Sequence, residues 1–520
     1  MLFHTWIFLI FFLIVYPVYL LVRRNNAAMN LWLMLASYTF YGWWNPNYLA
    51  LLFCTSAIDY LMVVLMERSK TQQRRKLWLI ISLVSNFGFL GYFKYSGFFT
   101  DNINWLIDYV HNGFHVPDSI HVAAFHLPNP VWYPNKILTL FGAPVDKLFT
   151  EVVLPIGISF HTFQSMSYTI DAYKGTIQTE RSFVRFLTFV SFFPQLVAGP
   201  IERAKNLLPQ LQSTPKITSE DIGDGLSLFL VGFFKKVALA DYLGTYVQKV
   251  YGAEGELGMP AHFQAPALIL ATVAFAWQIY FDFSGYTDMA RGLARMMGFR
   301  MMLNFNNPYV ATGLGDFWNR WHISLSTWFK DYVYFPLGGS RGAKWKTYRN
   351  VFITMVVSGL WHGAAWRYIV WGAIHATGRV LTFDLERNPT YKERIPMFVK
   401  QCAVFAFANL AWVFFRAQNM SDAWLVISRV FTSGFKTPDG KFADPQFPLL
   451  MLLMIAAVWL YEILFASGSG TASGTGTAGQ SRLKRLLEIP AFNVGLALLM
   501  IAYLLVVAQP GSKAFIYFQF

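Results

Sequence analysis

Cysteine is nearly absent: 520 residues hold only Cys54 and Cys402, both inside apolar runs, so neither a disulfide framework nor a thiol catalyst is indicated. Charge is scarce as well. Asp, Glu, Lys and Arg make up 13% of the chain, too little for an ordinary soluble domain. Zinc-site spacing is also missing, because His322 has only Ser326 and His362 only Trp366 four residues on. What the chain does have is apolar length. With 55% hydrophobic residues and a mean hydropathy of +0.38, it reads as an all-α, polytopic integral membrane protein. A net charge of +14 would suit a nucleic-acid binder. Lys and Arg instead fall in short runs between apolar segments, which is the pattern of membrane topology.

Trp6–Val22, followed by Arg23 and Arg24, reads as an uncleaved first span with its N-terminus outside the cytoplasm. Leu31–Trp44, Tyr48–Met66 and Leu77–Phe93 follow, and the basic linker Glu67–Lys76 should face the cytoplasm. Residues 94–150 are expected to form an extracytoplasmic loop. Its centre, Asn102–Lys147, is poor in Lys and Arg, and the irregular spacing of His111, His115, His121 and His126 argues against a metal cluster. Further candidate spans are Val152–Thr169, Phe183–Val197, Leu226–Leu239, Ala265–Phe281, Val351–Ala376, Met397–Phe415, Leu449–Phe465 and Ala491–Val507. The length rule thus gives about twelve crossings in one membrane domain, residues 1–520. If all of them crossed, the basic stretch Arg291–Arg349 would lie outside, so one or more preceding segments should be re-entrant or interfacial. The proline-broken PQLVAGPIERA is the first choice for that break, and residues 467–485 form a flexible linker.

Candidate chemistry centres on Asp316–Trp366. Trp318, His322, Leu325, Phe329 and Tyr332 recur at helical spacing, which places His322 on an apolar stripe. Val351–Ala376 is long enough for a single span, with His362 near its middle beside Gly359 and Gly363. A lone histidine on an apolar face is ordinarily a satisfied core residue. Two of them, flanked by tryptophans and serines in consecutive segments, point to proton transfer instead. Other polar residues in or beside apolar runs are Asp59, His161, Gln164, Asp282, Ser284, Asp288 and Arg367. Asp59 and Gln164 are expected to join helices by hydrogen bonds. Asp282, Ser284 and Asp288 either line a polar cavity or, for the acids, pair with Arg291 or Arg295.

The blocks FDFSGYTDMARGLARMMGFRMMLNFNNPY (Phe281–Tyr309), DFWNRWHISLSTWFKDYVYFPLGG (Asp316–Gly339) and SGLWHG (Ser358–Gly363) resemble the signature blocks of the membrane-bound O-acyltransferase family. Within it they are most similar to the bacterial alginate O-acetyltransferase branch, as are FFPQLVAGPIERAKNLLPQ (Phe192–Gln210) and FIYFQF (Phe515–Phe520). The resemblance implies about 11–12 transmembrane helices plus re-entrant or interfacial ones around a central tunnel, with a catalytic core at residues 281–376. It implies His362 as the signature residue and places His322 at the companion position, which is histidine or asparagine in the family. Trp318, Arg320, Trp321, Ser326, Trp361, Asp282, Ser284 and Asp288 become candidates for the tunnel wall. It also implies acetyl-CoA, or another acyl thioester, as donor substrate, with no bound cofactor and no metal. The acceptor would be a hydroxyl of an exopolysaccharide such as alginate, or of cellulose, peptidoglycan or teichoic acid. Membrane lipids and extracytoplasmic polysaccharide-acetylation proteins are the implied partners, no nucleic acid is, and the bacterial inner membrane is the implied location.

On this reading one imidazole takes the proton of the attacking hydroxyl while the other orients the acceptor or donates to the oxyanion. His362 and His322 can each hold the role of base, and an acyl-histidine relay would use both. Trp318, Trp321 and Trp361 would supply dry walls. Two other classes also fit a polytopic chain with polar residues in its spans. One is a transporter without chemistry of its own. The other is a scaffold that docks a transferase through FIYFQF, a stretch that equally suits an aromatic belt at the membrane surface.

Overall fold

The computed structural model describes residues 1–113, 155–253, 256–434 and short helical pieces between 452 and 502. Among these residues every regular element is helical. In chain order the α-helices are α1 (Trp6–Val22), α2 (Asn26–Gly42), α3 (Asn47–Arg68), α4 (Gln72–Leu90), α5 (Ser96–Gly113) and α6 (Ile158–Lys174). Then come α7 (Phe183–Ser191), α8 (Ala204–Gln212), α9 (Ser219–Phe234), α10 (Asp241–Tyr251), α11 (Ala265–Met296) and α12 (Leu314–Arg320). The last six are α13 (Ile323–Phe329), α14 (Lys344–His362), α15 (Trp366–Thr382), α16 (Pro389–Arg394), α17 (Met397–Arg416) and α18 (Met420–Thr432).

Four described stretches are long and apolar enough to cross a membrane: α3, α4 with α5 as far as Tyr109, α11 and α17. Apolar side chains such as Leu21, Val84 and Phe398 point outward from the bundle, while Asp59, Asp282 and His322 are buried. That inversion is what a lipid solvent imposes. The loop expected over residues 94–150 is helical in its first part, where α5 continues α4 after a single π turn, Gly91–Tyr95. The rest of that loop, its four histidines, the linker 467–485 and FIYFQF lie outside the described side chains, as do the last two candidate spans apart from short pieces.

α11 is the central element. Its 32 residues are about 48 Å long by the helical rise, and most of them are buried. α9 lies against it because small residues face each other: a Cβ on Gly285 would sit 2.7 Å from the Gly232 carbonyl oxygen, and one on Gly225 2.7 Å from that of Gly292. Only glycine permits that approach. Asp59 on α3 accepts from Ser82 and Asn86 of α4 and from Ser165 of α6, and Gln164 donates to the Phe189 carbonyl of α7, so both residues join helices as expected.

The chain leaves helix at Phe192 and runs, buried, through Pro194, Gly199 and Pro200 to α8. The break expected in PQLVAGPIERA is therefore present, in backbone covered by protein rather than lipid. The basic segments gather at one end. Gln72 and Arg75 donate to Tyr173, and Lys174 and Arg203 both lie over the Tyr332 ring. Asn350 donates to the Gly339 carbonyl, and Lys344 donates to Asp384, holding that exposed carboxyl below the usual carboxylate range.

Candidate functional site

The expected helix through Trp318, His322 and Tyr332 is not continuous. α12 ends at Arg320, and His322 takes a left-handed backbone (φ 43°, ψ 55°) before α13 starts. Asn304 holds this turn. Its carbonyl accepts from Ile323 N at 2.9 Å, and its side-chain oxygen accepts from Ser324 N at 3.2 Å and Ser324 Oγ at 2.9 Å. With those bonds in place, the cost of the unusual φ is met locally. The His322 ring is buried among Phe283 (4.7 Å between ring centres), Phe160 (6.2 Å) and Trp361 (6.2 Å).

Val351–Ala376 is likewise not a single span. α14 ends at His362 and α15 begins at Trp366, the two packed together with His362 at the bend. Extended backbone at Gly363 and Ala365 makes the turn, and a Cβ on Gly359 or Gly372 would strike the carbonyl of Tyr368 or Met355 across the pair. His362 is buried against Trp361 (4.9 Å), Trp371 (5.1 Å) and Phe415 (5.2 Å). The two histidines are thus brought to the same indole, that of Trp361.

Trp371 continues the row to a third buried ring, His375, at 4.9 Å. His375 also lies 5.0 Å from Trp318. Among the described residues, the indole N–H groups of Trp318, Trp361 and Trp371 and both ring nitrogens of His375 have no hydrogen-bond partner. Buried donors left open are costly, and they are the groups that a developing oxyanion needs.

The other candidates divide. Trp321 packs on Trp412 at 5.0 Å and Phe305 at 5.1 Å, a dry wall behind His322. Ser326 spends its hydroxyl on the Trp321 carbonyl, and Arg320 pairs with Asp316 at 2.7 Å. Asp282 pairs with Lys236, and Asp288 with Lys235 and, at 3.5 Å, Arg291; Arg295 instead forms ion pairs with Asp221 and Asp224. These acids therefore fasten α11 to the π turn Lys235–Ala240 that follows α9. Ser284 Oγ is buried without a partner among the described residues. A polar cleft of about 640 Å³ lined by Arg75, Glu180, Arg181 and Arg185 shares no residue with the histidine row. Among the described residues no group of three His, Cys, Asp or Glu is placed to hold a metal ion.

Sequence reasoning missed His375, Lys94 and Tyr95. Lys94 Nζ donates to the carbonyls of Trp361 (2.6 Å) and His362 (3.1 Å), and Tyr95 OH donates to that of Leu360 (2.9 Å). A signal was present. Lys94 is the sole charged residue between positions 77 and 100, and a charge inside an apolar run is a lead in itself.

Residues 147–420 match the membrane-bound O-acyltransferase family. The chain is 34% identical to the Probable alginate O-acetylase of Azotobacter vinelandii, over the full length of both proteins. It is 37% identical to the protein of that name from Pseudomonas aeruginosa, covering 84% of this chain and 75% of the relative. Identity to the Peptidoglycan O-acetyltransferase of Helicobacter pylori is 32%, over 82% of this chain and 79% of the relative.

Proposed function

The chain belongs to the membrane-bound O-acyltransferase family, and from that premise we propose that it moves acetyl groups from a cytoplasmic thioester toward hydroxyls of an exopolysaccharide such as alginate. The observation that carries the reading is the seating of His322 and His362 against one indole in a dry aromatic interior. The names of the Azotobacter and Pseudomonas relatives support the acceptor class. Acetyl-CoA is the proposed donor. Extracytoplasmic acetylation proteins are the proposed receivers, and the bacterial inner membrane the proposed location.

The chemistry follows from the residues. The acceptor hydroxyl oxygen attacks the thioester carbonyl carbon while the His362 imidazole takes its proton. Negative charge gathers on the carbonyl oxygen, and the open indole N–H groups beside the histidines suit it. The C–S bond then breaks, and the imidazolium returns the proton to the departing thiolate. His322, held by its turn, orients the acceptor. The Helicobacter relative supports a second acceptor, peptidoglycan, reached by the same steps.

Purified membranes incubated with acetyl-labelled acetyl-CoA test the reading. His322→Ala and His362→Ala, each at normal abundance, should lower transfer about a hundred- to ten-thousandfold. Labelled exopolysaccharide supports the first acceptor, and label on peptidoglycan fragments the second. Undiminished transfer with both variants would instead indicate a transporter or scaffold.

A further inference from the structure

The π turn Gly91–Tyr95 inserts one residue into the helical register between α4 and α5, a device that recurs at functional sites. Here it brings two consecutive side chains to the C-terminal end of α14, whose last carbonyls have no partner within their own helix. Tyr95 OH serves Leu360, and Lys94 Nζ serves Trp361 and His362. Capping alone does not call for a lysine, because the neutral Tyr95 hydroxyl does the same job one residue away. Carrying an ammonium in an apolar segment is costly, and among the described residues no carboxylate pairs with this one. Its charge does complement the negative end of the helix dipole. It also stands 5.6 Å from the centre of the Trp361 ring, the same ring that His322 and His362 flank.

We propose that Lys94 is a positioning residue for acyl transfer. Through the two carbonyls it fixes the backbone of His362, and it sets its ammonium beside the place where the tetrahedral oxyanion develops. The inference rests on the reading of His362 as a reacting group. Two of the three ammonium N–H bonds go to the carbonyls, so the nitrogen is held in place before substrate arrives. In a low-dielectric interior a fixed charge of this kind acts more strongly on a developing anion than it would in water.

The test is steady-state transfer from labelled acetyl-CoA in membranes, corrected for the abundance of each variant. Lys94→Met should lower kcat about a hundredfold, the loss typical of one removed oxyanion donor, while the donor KM stays within about twofold. Lys94→Arg should recover about tenfold of that loss, since it restores charge and donors with altered reach. A Lys94→Met kcat within about twofold of the unaltered protein, or a loss confined to KM, overturns the proposal. If Lys94→Met does not accumulate, Lys94→Gln decides, because it keeps N–H donors without charge: a fall of about a hundredfold carries the proposal, and an unchanged kcat defeats it. His362→Ala runs alongside. Should that variant keep full activity, the acyl-transfer reading of His362 fails on its own account.

Discussion

His322 occupies a backbone region that asparagine enters readily and that β-branched residues reach only with strain. His322→Asn should therefore accumulate and melt like the unaltered protein. His322→Val should be destabilised by about 1–3 kcal/mol, because its backbone must leave the turn that Asn304 holds. Thermal unfolding in detergent separates the two, and equal melting temperatures would show that the left-handed turn carries no such demand. The residue types at the site were legible in the sequence, since two histidines amid tryptophans at depth already pointed to proton transfer. The turn was not, because four- and three-residue spacings look the same whether a helix runs on or breaks, and what breaks it is Asn304, far upstream of His322. Lys94 stands out in the sequence as a lone charge in an apolar run, but its partners do not. It acts on carbonyls 267 and 268 residues away, a separation no local pattern reports.

Between elements, contact distance is set by glycine. Gly225 and Gly232 on α9 face Gly292 and Gly285 on α11, and the carbonyl contacts leave no room for a methyl group. Gly232→Ala should cost about 1–3 kcal/mol through overpacking, even though alanine favours helix. Gly223→Ala, on the same helix with nothing within 4 Å of its new carbon, should be neutral or slightly stabilising. Identical stability of the two variants, read as detergent unfolding midpoints, would mean that α9 and α11 are not held at glycine distance. Helix content and several helix ends were readable from apolar length, as Trp6–Val22 shows by matching α1 residue for residue. Hairpins were less readable. Val351–Ala376 has the length and hydrophobicity of a single span, and only the packing of Gly359 and Gly372 onto the opposite backbone shows why it folds back at His362.

For the whole molecule, Arg75, Lys174, Arg203 and Lys344 mark one end of the bundle, built from segments far apart in the chain. The charge of the linker Glu67–Lys76 suits the cytoplasmic side, and Lys344, at the start of α14, lies at the same pole. A surplus of cations at one pole spreads a field into solution, and an anionic reactant approaching it is drawn in faster than diffusion alone would bring it. With a polyanion such as acetyl-CoA as donor, capture should weaken as ionic strength rises, because screening shortens the field to about 8 Å at physiological salt. KM for the donor should then climb with added salt while kcat, which the proposed mechanism places at the buried histidines, holds steady. A KM indifferent to ionic strength would mean that this pole anchors the protein in the bilayer without recruiting its reactant.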